Sequence, residues 1–503
     1  MKKFLRSLKK SFGEALSNNE YVIRLVRKYP TFFTFIKNRL SFAKPFGFLF
    51  TAGIIASAYF FIYFLSITQD VLIKDQFVEA DVRIMNLIAA FRNIKVAQIL
   101  LLFTYLGNWQ IIVSLGFIIL IILWLLGKKR MAMFFTYGVV SGFLAFALFK
   151  LLLHRTRPNI GFSLIPQNGY SFPSGHAVLS VIFYGMIGYG IIKISKKRWQ
   201  KFLVITLAFL LIFLIGFSRL YLGVHWTSDV VAGWSIGFSI LVLLITFFKQ
   251  QERFFPAAKQ KIGASKRSII LIATLLFIFE GNFFYYFYNN NPLQIQKTPQ
   301  KLKEIVIPPS ADLPVIILSN AFPKFSETIV GQKMEPVSLI IVGSKEKLIQ
   351  VFQKAGWFIA DKPQPKAIYR LSIAALFNQP YPGAPVTPSF LNDQPEAIAF
   401  EKPTSTNTAR QRHHTRFWLT NFSWGETPIW IATASFDDGL RYFITHKIHP
   451  DIDTERDFIK DDLLKTGLIK DNQQIQLVKS LLGKNQGSDQ FFTDGKAYII
   501  FLK

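Results

Sequence analysis

The chain has 503 residues, 51% of them hydrophobic with 53 phenylalanines, and a mean hydropathy of +0.31, more apolar surface than a soluble protein of this length can bury. Its formal charge is +28, yet 25 basic and 21 acidic residues lie from Asn291 onward, so 33 basic and only 9 acidic residues crowd the greasier first part. Positive charge beside apolar runs suits loops facing anionic lipid, which argues for membrane lipids as partners and against nucleic acid; the absence of cysteine excludes disulfides and thiolate-held metal.

In chain order, residues 1–44 read as a basic, cytoplasmic N-terminal segment without a signal-peptide core. Phe4, Leu5, Leu8, Phe12 and Leu16 recur at helical spacing among lysines, the pattern of a helix lying on a membrane surface, with a disordered basic tail as the alternative. Seven apolar segments of bilayer-spanning character follow, at roughly 46–68, 108–126, 131–153, 177–193, 201–217, 229–248 and 268–288. The N-terminal tail, Lys128-Lys129-Arg130, the run Lys193 to Lys201 and the run Lys249 to Arg267 are strongly positive and alternate regularly along the chain, which orients them to the cytoplasm and the other loops outward. Residues 69–107, with balanced charges, read as an outward, amphipathic interfacial segment. Glu280, inside the seventh segment, either faces the bundle or marks the outer end of a shorter span.

Chemistry gathers in three outward stretches. Lys150 and Arg157 stand two helical turns apart before Pro158 redirects the chain, which predicts a two-cation clamp on one face of a helix end. Pro173-Ser174-Gly175-His176 opens the fourth segment, where glycine allows close backbone approach and the helix start offers free amides to an anion. Between the fifth and sixth segments, Arg219, His225 and Asp229 combine a phosphate-matched fork with a histidine four residues before a carboxylate that can orient its ring; Asp229 is equally suited to N-cap the following helix.

Lys-x6-Arg-Pro (150–158), Pro-Ser-Gly-His (173–176) and Ser-Arg-x5-His-x3-Asp (218–229), in this order, resemble the complete signature of the type 2 phosphatidic acid phosphatase (PAP2) superfamily over about residues 70–248. The resemblance implies an all-α multispan membrane helical bundle of metal-independent phosphatases and phosphotransferases. It further implies that His225 attacks phosphorus to form a phosphohistidine, Asp229 holds its ring, and His176 protonates the leaving oxygen and then activates water. Lys150, Arg157, Ser174, Gly175 and Arg219 would hold the phosphoryl oxygens. No cofactor and no metal ligand is expected, since the cations take the metal's part. His154 and Arg155, at variable positions of the first motif, are assigned to packing and interface anchoring, with a secondary head-group contact as the alternative.

The domains read as 1–44, a phosphatase-like membrane domain at 45–250, a cytoplasmic loop with a seventh helix at 251–290, and a soluble mixed α/β domain at 291–503. In the last, Pro336 to Gly343 reads as a buried strand and Ser344 as the cap of a helix through Ala355, with later strands at 415–420, 428–435 and 496–502. Its polar features include Arg410, Arg412, His413, His414, Arg416 and Trp418. They resemble the C-terminal domain of LssY-like proteins over about 310–480. His446, His449, Asp451 and Asp453 form either a metal or anion site or, by preference, a capped loop.

These readings predict an inner-membrane lipid phosphate phosphatase of a Gram-negative bacterium with its site and C-terminal domain periplasmic. The expected substrate is undecaprenyl diphosphate, then phosphatidate or phosphatidylglycerol phosphate. Alternatives are a lipid phosphotransferase or lipid A phosphatase of the same superfamily, and, in another class, a transporter or scaffold.

Overall fold

Apolar run length decides the first part of the fold. The computed structural model describes residues 19–158, 160–255, 265–290, 292–293, 304–319, 321–406, 408–441, 445–485 and 489–503; the pattern from Phe4 to Leu16 lies outside them. Two short helices, α1 (Glu20–Lys28) and α2 (Pro30–Leu40), precede α3 (Phe48–Ile73), α4 (Gln76–Ala90), α5 (Ile94–Leu106), α6 (Trp109–Leu125), α7 (Lys129–Leu153), α8 (Gly175–Ile194), α9 (Arg198–Tyr221), α10 (Thr227–Phe254) and α11 (Lys266–Asn290). Among the described residues six helices are long and apolar enough to cross a bilayer: α3, α7, α8, α9, α10 and Ile270–Asn290 of α11.

The remaining predicted span, 108–126, is α6, and at 17 residues it qualifies only together with α5, to which it is bent by 48°. Residues 69–107 are therefore not one interfacial segment. Helix α3 continues to Ile73, α4 carries Glu79, Asp81 and Arg83, and α5, with Lys95 as its one charge, buries Leu100, Leu101 and Tyr105. Glu280 faces the bundle: it is buried, and its Oε1 accepts from Ser114 Oγ of α6 at 2.9 Å.

Helix α8 is the centre, buried from Ala177 through Tyr184. Small residues let α10 close on it: a Cβ at Gly233 would lie 2.8 Å from Ala177 Cβ and Ser174 O, and one at Gly237 2.9 Å from Val181 Cβ. This contact brings the first turns of α8 and α10, and hence two of the three motifs, side by side. At the other end of the bundle Lys193 pairs with Glu252, and Arg130 donates to the Phe255 carbonyl. The basic loops thus gather at the end away from the motifs.

The second part is a mixed α/β domain. Its main sheet runs, in spatial order, Ile469–Gln476, Lys496–Leu502, Leu339–Val342, Thr427–Arg441, Gln411–Trp424, Ile398–Pro403 and Phe358–Ile359, with Ile305–Ile307 and Thr445–Ile448 also paired to it. Lys496–Leu502 and Leu339–Val342 are parallel. Period-two alternation sends Leu339 and Ile341 toward helices Lys345–Lys354 and Ile452–Lys465, and Ile340 and Val342 toward Leu313 and Ile317. The predicted buried run from Pro336 is shorter as a strand, since Lys333–Pro336 joins a separate small sheet. Ser344 does cap its helix, accepting from Lys347 N at 3.3 Å. The strands predicted at 415–420 and 428–435 are the middle of one long hairpin.

One glycine holds the loop between α9 and α10. Gly223 has φ +74°, and a Cβ there would meet Phe162 O at 1.9 Å, whereas Gly169, at φ +75°, has nothing within 4 Å. Gly169→Ala should cost roughly 1 kcal/mol through its dihedral alone, and Gly223→Ala at least roughly 3 kcal/mol because backbone must move. Thermal unfolding in detergent compares them; equal midpoints would refute the close approach.

Candidate functional site

Helix α7 ends at Leu153, and His154 turns the chain at φ +46°. Arg157 therefore does not share a helix face with Lys150, as the spacing predicted. A carbonyl-lined loop brings the two cations together instead. Lys150 Nζ donates to Tyr170 O at 2.8 Å, and Arg157 donates from Nε to Gly169 O at 3.0 Å and from Nη2 to Asn168 O and Tyr170 O at 3.3 Å. Carbonyls order these groups without cancelling their charge. His154 packs edge-on against Tyr170, at 4.4 Å between ring centres.

His225 lies in the Gly223 loop, 1% exposed. Its Nδ1 stands 3.3 Å from Asp229 Oδ2, and Arg157 Nη1, which also donates to Val224 O at 2.7 Å, lies 3.2 Å from its Nε2. A guanidinium only donates, so Nε2 must be the acceptor and the ring proton sits on Nδ1, toward the carboxylate. Burial first, then the charges of Arg157, Arg219 and Lys150, push His225 well below the usual imidazole range. The free nitrogen is thus a neutral nucleophile pointing at a cation.

Asp229 is fully buried and is not the N-cap of α10. That position is Trp226; Asp229 stands three residues in, and its Oδ2 accepts from Trp226 N at 3.0 Å. Its Oδ1 accepts from Arg155 Nη1 at 2.7 Å. Arg155 is therefore no mere anchor. It also donates to Ser228 Oγ at 2.6 Å and, through Nη2, to Asp81 Oδ2 of α4 at 2.8 Å. Asp81 Oδ1 accepts from Ser228 N at 2.9 Å, and the Ser228 hydroxyl bonds its other oxygen. Neither Asp81 nor Arg155 was found from sequence; the only available signal was a carboxylate in a loop otherwise read as interfacial.

Arg219 lies 1% exposed in the last turn of α9. Its Nη1 donates to Thr104 Oγ1 at 2.6 Å, while Nε and Nη2 have no partner among the described residues. The Ser174 hydroxyl is likewise buried and unpartnered, and Ser174 N donates to Asp229 O at 3.0 Å, tying the second motif to the third. Gly175 begins α8, whose first-turn amides lack partners within the helix, and His176 follows. The break between α5 and α6 adjoins this histidine: a Cβ at Gly107 would lie 3.1 Å from His176 Cδ2. All eight predicted site residues thus belong to one cluster at one end of the bundle, with an excess of donors and positive charge suited to a multiply charged oxyanion.

The polar residues of the C-terminal domain do not join it. Arg412 pairs with Glu401 at 2.6 Å and Asp437 at 2.9 Å, and His413 with Glu455 at 2.7 Å. Asp451 caps helix Ile452–Lys465, accepting from Asp453 N at 3.0 Å and Thr454 Oγ1 at 2.8 Å, and Asp453 accepts from Arg456 and Thr493. These two carboxylates order a loop; the side chain of His446 lies outside the described residues.

Residues 130–253 match the PAP2 superfamily model and residues 319–497 the model described as the LssY C-terminus. The chain is 35% identical over 109 residues to phosphatidylglycerophosphatase B of Bacillus subtilis (strain 168), covering 21% of this chain and 52% of that protein. It is 29% identical over 144 residues to undecaprenyl-diphosphatase of Sulfolobus acidocaldarius, covering 29% and 57%. It thus spans a little over half the length of either relative. The crystal structure of a transmembrane PAP2 type phosphatidylglycerolphosphate phosphatase from Bacillus subtilis aligns at 24% identity and a TM-score of 0.35, over 40% of this chain and 98% of that one.

A buried cation with two unused donors is costly unless an anion satisfies it. Arg219→Met should leave the unfolding midpoint unchanged or higher while weakening orthovanadate binding at least roughly tenfold. Calorimetric titration of the purified protein checks this, and undiminished vanadate affinity would show that Arg219 does not hold the anion.

Proposed function

We propose that this chain, a PAP2 superfamily domain joined to an LssY C-terminal domain, is a multi-pass membrane phosphatase that removes phosphate from a long-chain lipid phosphate or diphosphate. The observation that carries the reading is the pairing of a buried neutral imidazole, oriented by Asp229, with the unpartnered donors of Arg219. Histidine, carboxylate and cation fork are what in-line attack on phosphorus requires.

His225 Nε2 attacks phosphorus, forming the N–P bond as the bond to the leaving oxygen breaks. The ring becomes positively charged, and Asp229, bonded to Nδ1, stabilises it. Arg157 must release Nε2 as substrate enters, and its donors then pass to the phosphoryl oxygens beside Lys150, Arg219, Ser174 and the Gly175 amide. His176 gives a proton to the leaving oxygen; afterwards it takes one from the water that attacks the phosphohistidine, returning His225 and releasing phosphate. An acceptor hydroxyl in place of water would make the same site a phosphotransferase.

Undecaprenyl diphosphate comes first as substrate, then phosphatidate and phosphatidylglycerol phosphate; the names of the two similar proteins support phosphate on a lipid anchor. The gathering of Lys129, Arg130, Lys193 and Arg198 at helix ends away from the site supports an active site on the outer face of the cytoplasmic membrane.

Purified protein in detergent should release phosphate from one or more of these lipids with EDTA present, and His225→Ala and His176→Ala should each lose at least roughly a thousandfold in kcat. Undiminished release by His225→Ala, or a strict metal requirement, would overturn the mechanism. Attack needs the neutral ring, and a depressed His225 pKa keeps it neutral as pH falls. Corrected for the substrate's own ionisation, kcat/KM should therefore show no loss near pH 6.5 and decline only at lower pH. A limb at the ordinary imidazole value would contradict the burial and cation effects on His225.

A further inference from the structure

Helix α4 presents two faces at helical spacing, and both are occupied. Asp81, Met85 and Ile88 (i, i+4, i+7) turn toward the bundle, where Asp81 meets Arg155 and Ser228, and Ile88 packs on Ala177, Leu220 and Val230. Arg83, Asn86 and Ala90 (i, i+3, i+7) turn toward the C-terminal domain. Arg83 donates to Glu327 from Nε at 3.2 Å and Nη2 at 2.8 Å, and pairs with Asp393 at 2.9 Å. Asn86 Nδ2 donates to Asp393 O at 2.8 Å, and Lys362 Nζ to Ala90 O at 3.4 Å. Asp81, Arg83 and Asn86 are all buried.

We propose that Asp81 is a positioning residue for the phosphoryl-transfer centre, and that the C-terminal domain, by gripping Arg83 and Asn86 on the opposite face of α4, sets its position. This rests on the phosphatase reading of the site. The contacts form a short series: Glu327 and Asp393 to Arg83, half a turn of α4 to Asp81, Asp81 to Arg155 and Ser228, Arg155 to Asp229, and Asp229 to His225 Nδ1. Each link has a reason in charge. Without Asp81, Arg155 would lend its whole charge to Asp229, and the carboxylate would hold less strongly the imidazolium that forms when His225 takes the phosphoryl group. Asp81 divides that charge. By accepting the Ser228 amide and hydroxyl it also fixes the first turn of α10, on which Asp229 stands. Asp81 lies outside the 130–253 stretch of the family match, so this support comes from α4 rather than from the matched domain. The C-terminal domain is then an element that holds the catalytic geometry, in addition to whatever it binds.

The test uses the full chain in detergent: Asp81→Asn, Arg83→Gln, Glu327→Gln, and the double variant of the last two. Two readouts are kcat and KM on phosphatidate or undecaprenyl diphosphate, and hydrogen–deuterium exchange over residues 222–230, whose Trp226 and Ser228 amides bond Asp229 and Asp81. Asp81→Asn should lower kcat roughly 10–100-fold with KM within about threefold, and speed exchange at 222–230 while α8 keeps its protection. Arg83→Gln and Glu327→Gln should each lower kcat roughly 3–10-fold, with the double variant no worse than Arg83→Gln alone, because both remove the same contact. Wild-type kcat and exchange in Asp81→Asn, or loss of protection throughout the bundle, would overturn the positioning role. Unchanged kcat and exchange in both Arg83→Gln and Glu327→Gln would overturn the link to the C-terminal domain. If the wild type releases no phosphate from any lipid, the phosphatase reading fails by itself, and exchange at 222–230 still decides whether α4 connects the two domains.

Discussion

A carboxylate without any exposed surface, Asp229, lies between the Arg155 guanidinium and the His225 imidazole, and the site is arranged around keeping it charged there. An isolated carboxylate at such depth would be neutralised. The Arg155 guanidinium, which reaches in from 74 residues away, and the neighbouring Trp226 amide and His225 imidazole of the preceding loop oppose that. Arg155 needs a partner of its own, which Asp81 supplies from α4. The Ser174 amide bonds the Asp229 carbonyl, so the start of α8 cannot move without the start of α10. Gly233 and Gly237 make the same demand further down, since side chains there would force the two helices apart.

Opposite this compensated acid stand three cations that form no salt bridge among the described residues. Backbone carbonyls of Asn168, Gly169, Tyr170 and Val224 hold Lys150 and Arg157, and Thr104 holds Arg219. Dipoles orient a cation while leaving its charge for something else. Ion-paired arginines elsewhere in the chain look different: Arg412 lies between Glu401 and Asp437 and has no charge to spare. The contrast distinguishes Arg219 from Arg412 where burial does not, because both are buried.

The C-terminal domain stands on its own sheet and two apolar layers, and touches the bundle through α4. Its conspicuous acidic and histidine residues are absorbed locally, as helix caps and strand-to-helix ion pairs. What it offers the membrane part is a pair of hairpins, at Glu327 and Asp393, carrying carboxylates to one arginine.

Run length and motif order by themselves determined a multi-span bundle and an α/β second domain, and pointed to eight residues that the structure gathers at one end of the bundle, because hydropathy and short spacing are local properties. Strands such as Lys496–Leu502 and the Ser344 cap were legible for the same reason. The tertiary structure decided the rest. A bend at Gly107, set by packing against Ile215 and His176, joins α5 to α6 where composition suggested a loop. The turn at His154 moves Arg157 off the helix on which its spacing from Lys150 had placed it. Arg155 meets Asp81 and Asp229, each 74 residues away, and no periodicity in the chain encodes that meeting. Which buried charges pair depends on which helices touch, and that is settled only when the bundle closes.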